Sequence, residues 1–337
     1  MFRRFRALPL LALVPLIMVT LTAPVHATGG LEGVPSFGHV FVIVGENTSL
    51  SDLNKTNAPF QLGTVMPNSA WLTNYWAASH YSTSNYVAMT SGQYIACEQA
   101  DAAPDSCNQD VPNLFNQLDT ATPQVTWQEW NESMPAPCYL PNAGSDKALN
   151  KYRVKHNPAM YYTGVEGSGG VWSATNPSAE CLANVISTGG TGPNDTTVMD
   201  AALAAGNVAR FNYIVPNECE DGHDNCKPIG NNIAQFDAFL AREIPKIEAS
   251  PAFGTDGVIV VVYDEGQGQG PHYADNQPPG FGGGNVAFAV MGPRVLPSIY
   301  GGLHNHYGLL RTLEDGFGIS DHPAGAAGAS VINEIWS

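Results

Sequence analysis

The residues best suited to chemistry fall into a few short stretches. Glu46-Asn47-Thr48-Ser49 and Asp264-Glu265 set carboxylates and an amide directly after strongly apolar runs. His80-Tyr81-Ser82-Thr83-Ser84-Asn85-Tyr86 places two serines just ahead of an apolar helical run. A serine there would sit where backbone N–H groups and the helix dipole favour negative charge, which suits an alkoxide or a phosphate; plain N-capping by Ser82 or Ser84 is the structural alternative. Asp221-Gly222-His223 could converge on a metal or a leaving group, although a D-x-H pair is more often a hydrogen-bonded loop pair. His306 opens a helical pattern, where a protonated imidazole would oppose the dipole, so a neutral ring contacting a metal or phosphate fits better. No lysine or arginine lies near Glu46, Asn47 or Asp264 in sequence. Grouped carboxylates would repel one another there unless a cation lay between them.

These stretches need elements to hold them. His39–Val44 (HVFVIV) and Gly257–Tyr263 (GVIVVVY) are continuous β-branched runs of the kind expected in buried strands. Asn285–Met291 and Arg210–Val215 make a third and fourth. Helical patterns cover Val111–Leu118, Val198–Ala205, Asn232–Ile247 and Tyr307–Phe317. Strands alternating with helices predict an α/β fold, a central mostly parallel sheet with helices on both faces. In such sheets ligands bind beyond the carboxyl ends of the strands, and two strands here end in acids. Residues from about 97 to 193 are rich in Gly, Pro, Ser and Asn and read as a loop-rich insertion within one domain spanning 28–337.

The start of the chain has the three-part pattern of a cleaved export signal, covering 1–27. Arg3, Arg4 and Arg6 precede an apolar run from Leu8 to Leu21, and Val25-His26-Ala27 offers a cleavage site. Losing those three arginines takes the formal charge from −16 to −19. So acidic a chain argues against nucleic acid as a partner, while a bound metal can still reverse the sign locally for a phosphate. No later stretch is apolar enough to span a bilayer, so no stable membrane insertion is expected. Six cysteines in an exported chain suggest three disulfides and a secreted or periplasmic location. Short separations favour Cys97 with Cys107 and Cys219 with Cys226, leaving Cys138 with Cys181.

Together these motifs resemble the phosphoesterase family of bacterial acid phosphatases and phospholipases C, within the alkaline-phosphatase-like superfamily, and most of all its secreted mycobacterial-type acid (lipid) phosphatases. The family's E-N-x-S, H-P-S-x-P-N-Y and K-H-x-P motifs correspond to Glu46–Ser49, His80–Tyr86 and Lys155–Pro158. P-N-x-x-N-D-M-H-D corresponds to Pro216–Asp224, W-D-E to Tyr263–Glu265, S-H-Y-x-x-L-x-T-L-E to Asn305–Glu314, and the closing I-W to Ile335-Trp336. The order is preserved across the mature chain. Both prolines of the serine motif are replaced, by Tyr81 and Ser84, and Gly222 stands for a methionine, which leaves substrate specificity open.

The resemblance implies a divalent metal held by Glu46, Asn47, Ser82 and Asp264, with Glu265, and a second cluster of Asp221, His223 and His306. One or two ions would fit, of unspecified identity. It implies a metal-dependent phosphomonoesterase in which Ser82 attacks phosphorus and forms a phosphoserine, with Asp221, His223 and His306 as further catalytic groups and Asn85 and His156 as phosphate contacts. The substrate would be a small-molecule or lipid phosphate ester. A phospholipase C-type phosphodiesterase is the alternative, and a non-catalytic secreted binding protein a remote one. His80 would position the turn. His39, His272, His304 and His322 carry no signal beyond surface or loop placement.

Overall fold

The computed structural model describes residues 30–95, 97–145, 148–271 and 282–337. The expected export signal at 1–27, and His272, lie outside them. The strands are β1 Val40–Gly45, β2 Ala70–Leu72, β3 Tyr75–Trp76, β4 Trp127–Asn131, β5 Val185–Ser187, β6 Phe211–Val215, β7 Val258–Tyr263, β8 Phe288–Met291, β9 Ser298–Tyr300 and β10 His304–Asn305. The helices are α1 Ser82–Ser91, α2 Pro104–Cys107, α3 Leu114–Thr120, α4 Thr163–Glu166, α5 Ala179–Asn184, α6 Thr197–Ala205, α7 Asn232–Glu248 and α8 His306–Gly316. Eight strands form one sheet in the order β5-β4-β6-β1-β7-β8-β2-β9, while β3 and β10 pair separately.

The two β-branched runs are the centre of that sheet. β1 lies between β6 and β7, parallel to both, and every residue of β1 and β7 is buried. Burial on both faces is what a continuous apolar run requires. The third expected strand, β8, runs antiparallel to β7. β4 and β5, inside the stretch expected as loops and insertions, extend the sheet in parallel on the other side. Their residues Trp127-Gln128-Glu129-Trp130-Asn131 carry polar groups that mask a strand pattern, although four of the five are buried.

Helices cover both faces. α7 buries Ile233, Phe236, Phe239, Leu240, Ile244 and Ile247, an i, i+3, i+4 stripe. Phe236 meets Tyr263 edge-on at 5.1 Å between ring centres. On the opposite face Leu309 and Leu313 of α8 line one small void with Val258 and Val260. Gly45 has to be glycine, because a Cβ there would lie 2.5 Å from the Phe236 ring. The three disulfides are Cys97–Cys107, Cys138–Cys181 and Cys219–Cys226, the pairing favoured by spacing. Among the described residues no helix is long and apolar enough to cross a membrane.

Candidate active site

The parallel register brings the acids together. Gly45 at the end of β1 is paired with Tyr263 at the end of β7, so Glu46 and Asp264 leave the sheet side by side. The loop after β6 comes alongside, with the Glu46 amide donating to the Asp221 carbonyl at 2.7 Å. Gly222 makes this approach possible: its φ is +103°, and a Cβ would lie 3.0 Å from the Glu46 carbonyl oxygen. The methionine of the family motif would be strained in this backbone. Asn47 turns the chain at φ +50° and donates its N–H to Asp264 Oδ1 at 3.0 Å.

Ser82 is the first residue of α1, and Tyr81 is its N-cap, so neither Ser82 nor Ser84 caps the helix. The Ser84 hydroxyl donates to the Tyr81 carbonyl at 2.6 Å, while the Ser82 hydroxyl donates to Glu46 Oε2 at 3.1 Å. Both serines are buried, but only Ser82 faces the acids.

A group of donor atoms here has no hydrogen-bond partner: Glu46 Oε1, His156 Nε2, Asp221 Oδ2 and Asp264 Oδ2, all on fully or almost fully buried side chains. Glu46, His156 and Asp221 each offer an atom within 4.8 Å of the others. His156 Nε2 lies 3.2 Å from Glu46 Oε1, and its Nδ1 lies 3.5 Å from Asp221 Oδ2. Buried polar atoms left unpaired are costly, and one divalent cation would satisfy several at once. Two carboxylates and an imidazole suit zinc or a similar ion. These residues therefore fit a metal, with His156 in a ligand position rather than only a phosphate-contacting one.

The charges agree with that reading. Burial, only partly offset by the charges of Lys155 and His223, pushes Glu46 up to about 7. Burial and then Glu46 itself raise Asp221 and Asp264 well above the usual carboxylate range. Burial, then the charges of Lys155 and His223, hold His156 well below its ordinary value and so neutral. Tyr86 stacks on the His156 ring at 5.3 Å.

Lys155 is the group that sequence reasoning missed. It hydrogen-bonds Asp101 at 3.0 Å, and although burial alone would lower its pKa, the charges of Glu46, Asp101 and Asp264 raise it. The site thus holds a fixed cation that no neighbouring residue in the sequence announced. Only its place beside His156 in the K-H-x-P motif could have pointed to it.

Several expected residues are placed differently. His306 does not join Asp221 and His223. Its Nε2 contacts the Asp264 carbonyl at 2.5 Å and its Nδ1 the Tyr75 hydroxyl at 3.0 Å, and burial lowers it to about 4. It is neutral, as its helix-start position implied, and it orients the Asp264 strand end. His223 pairs with Asp224 at 2.9 Å and stands 6.0 Å from the His156 ring. Glu265 contacts His80 Nδ1, whose other nitrogen reaches the Gly268 carbonyl at 2.9 Å. Asn85 accepts the N–H groups of Ala78 and Ser79 and donates to the carbonyls of Ser79 and Tyr81. Its hydrogen-bonding capacity therefore goes to the loop that carries Ser82, which makes it a positioning residue here. Away from the site, His304 is buried against Glu334 rather than on the surface.

The chain has relatives among known proteins. The chain is 26% identical over 307 residues to a phosphatidylinositol-3-phosphatase of Mycobacterium tuberculosis, across 90% of this chain and 85% of that protein. It is 25% identical over 300 residues to a probable acid phosphatase of Kluyveromyces lactis, across 87% of this chain but 61% of the fungal protein. In fold it is similar to an alkaline phosphatase superfamily protein of Vibrio parahaemolyticus, with a TM-score of 0.57 at 10% identity over 87% of this chain and 70% of that one. It is also similar to murine ectonucleotide pyrophosphatase/phosphodiesterase 5, with a TM-score of 0.53 at 10% identity over 89% of this chain and 100% of that one. The Phosphoesterase family model matches residues 39–320. The chain belongs to the Phosphoesterase family and is an acid-phosphatase-like hydrolase of phosphate esters.

Proposed function

We propose that this chain is an exported, metal-dependent phosphomonoesterase that works through a phosphoserine on Ser82. The observation that carries the proposal is the hydroxyl of Ser82 on Glu46 Oε2, at a helix start, beside four buried donor atoms with no hydrogen-bond partner. Glu46 Oε2, which already accepts the hydrogen bond of the Ser82 hydroxyl, takes the serine proton as the oxygen attacks phosphorus. Lys155 supplies a fixed positive charge nearby. Asn85 holds the loop and His306 the Asp264 strand end, so the nucleophile and acids stay in register. Asp221 and the partly exposed His223 stand where a leaving oxygen could be stabilised or protonated. A divalent ion on Glu46, His156 and Asp221, with Asp264 close by, would polarise the phosphoryl group and lower the hydroxyl pKa. Three disulfides favour an oxidising compartment outside the cytoplasm. The phosphatidylinositol-3-phosphatase relative makes a lipid phosphate one substrate to try.

The test is turnover of a chromogenic phosphate monoester against the matching bis-ester. Preference for the monoester supports the reading, while preference for the bis-ester moves the chain to the phosphodiesterases. No turnover of either by metal-loaded protein would leave a binding role. If Ser84→Ala is dead and Ser82→Ala active, the nucleophile is wrong.

A further inference from the structure

A second cluster of acids and a histidine lies at the other end of α8. The helix has 11 residues, so its last turn is roughly 15 Å from His306. Glu314 and Asp315 occupy that turn, where carboxylates face the negative end of the helix dipole. The loop that follows returns His322, and the start of the described chain brings Glu32. The Leu31 amide donates to the Asp315 carbonyl at 3.1 Å, which ties that segment to the helix end.

Glu32, Asp315 and His322 each offer a ligand atom within 4.8 Å of the others. Asp315 is fully buried, and among the described residues its carboxylate faces only the other two members of the cluster, the Glu32 carboxyl and the His322 ring, with no further donor on either oxygen. His322 Nδ1 lies 2.8 Å from Glu314 Oε2, and its Nε2 lies 3.3 Å from Asp315 Oδ1. Glu314 thus occupies Nδ1 and directs Nε2 at Asp315, the kind of outer support that a metal-bound histidine has. Two donors bound to one tetrahedral zinc at about 2.1 Å stand about 3.4 Å apart, close to the separation seen here. Arg311 already holds Glu32 through two hydrogen bonds of 2.7 Å, so Glu32 enters with its charge shared and its exposed side open to solvent.

We propose that Asp315, His322 and Glu32 form a zinc-type divalent cation site, separate from the catalytic edge, that fastens the beginning of the domain and the loop after α8 to the helix end. The donor set of one imidazole and two carboxylates suits zinc better than calcium, which takes six to eight oxygens. The role is structural, because no serine or unpaired cation adjoins the cluster among the described residues.

The test uses the mature full-length chain, stripped with chelator and titrated with zinc alone, reading bound metal and the thermal midpoint. His322→Gln should bind one equivalent fewer than wild type, lose a zinc-dependent rise of roughly 5 °C, and keep monoester turnover. Glu32→Gln, at an exposed position that tolerates change, should weaken the same equivalent. Asp221→Asn should retain the thermal rise, which separates this site from the catalytic one. Unchanged stoichiometry and an unchanged midpoint shift in His322→Gln would overturn the proposal. So would calcium, offered alone, stabilising wild type and His322→Gln equally.

Discussion

Two clusters in this molecule share a composition, carboxylates around one histidine, but differ in how they are held. At the strand edge, Glu46 and Asp221 come from neighbouring parallel strands, and His156 enters from a loop on α1. At the far end of α8, Glu314, Asp315 and His322 are close in sequence and only Glu32 arrives from afar. The first has a serine hydroxyl on one of its acids and a lysine charge nearby; the second has an arginine clamp and no nucleophile. The same donor chemistry therefore serves different ends according to what adjoins it. On the two proposals made above, a reactive oxygen next to unpaired acceptors would make the first an active site, whereas a helix end and a chain segment would make the second a fastening.

The largest effect that would sharpen this contrast is Ser82→Ala. Turnover should fall on the order of 10³-fold or more, with circular dichroism and the thermal midpoint unchanged. Wild-type rates in that variant would remove the distinction between the clusters. Asp221→Asn should come next, lowering turnover and metal affinity together by roughly 10–100-fold in protein whose metal content is measured after chelation. Full turnover in protein shown to hold no metal would break the comparison from the catalytic side.

The disulfides extend it. Cys219 and Cys226 bracket Asp221 and His223, while Cys138–Cys181 closes a loop of 43 residues remote from them in sequence. Replacing both cysteines of Cys138–Cys181 by serine should cost about 2–5 kcal/mol in urea unfolding. Removing Cys219–Cys226 should instead depress turnover more than stability, and the reverse pattern would show that the loop does not need its bridge for catalysis.

Glu129 is an internal control, a buried acid served by neutral donors. Asn131 Nδ2 and the Ala159 N–H both donate to it, and burial pushes it up to about 8. The folded state therefore holds a proton that the unfolded chain releases near 4.5. Stability from this group is complete below that value and is lost as pH rises towards 8, at about 1.4 kcal/mol per pH unit. Glu129→Gln should flatten that part of the stability profile without altering metal content. A profile as steep as wild type would place the pH dependence elsewhere. The smallest effect is expected at the fastening site, where His322→Gln should leave monoester turnover within about twofold of wild type while changing the zinc response.

The central fold, and the edge at which the acids emerge, could be read directly from sequence, because they rest on local pattern. Unbroken β-branched runs of this length are what strands buried on both faces require, and acids placed just after two of them emerge at one edge once the strands are parallel. Glu46 and Asp264 were placed on one edge this way, and Ser82 was singled out by the apolar helical run that follows it. Spacing likewise anticipated the three disulfides. What depended on contacts between distant segments needed the tertiary structure. β4 was hidden because Gln128, Glu129 and Asn131 break its apolar pattern, although Asn131 and the Ala159 N–H both donate to Glu129. Lys155 and His156 reach Glu46 from a loop more than a hundred residues away, and His306 was drawn to Tyr75 and the Asp264 carbonyl instead of to Asp221. His322 looked like a loop histidine until Glu314, Asp315 and Glu32 closed around it. A residue's type is set by its codon, but whether its charge is paired, buried or aimed at a cation depends on which remote groups the chain packs beside it.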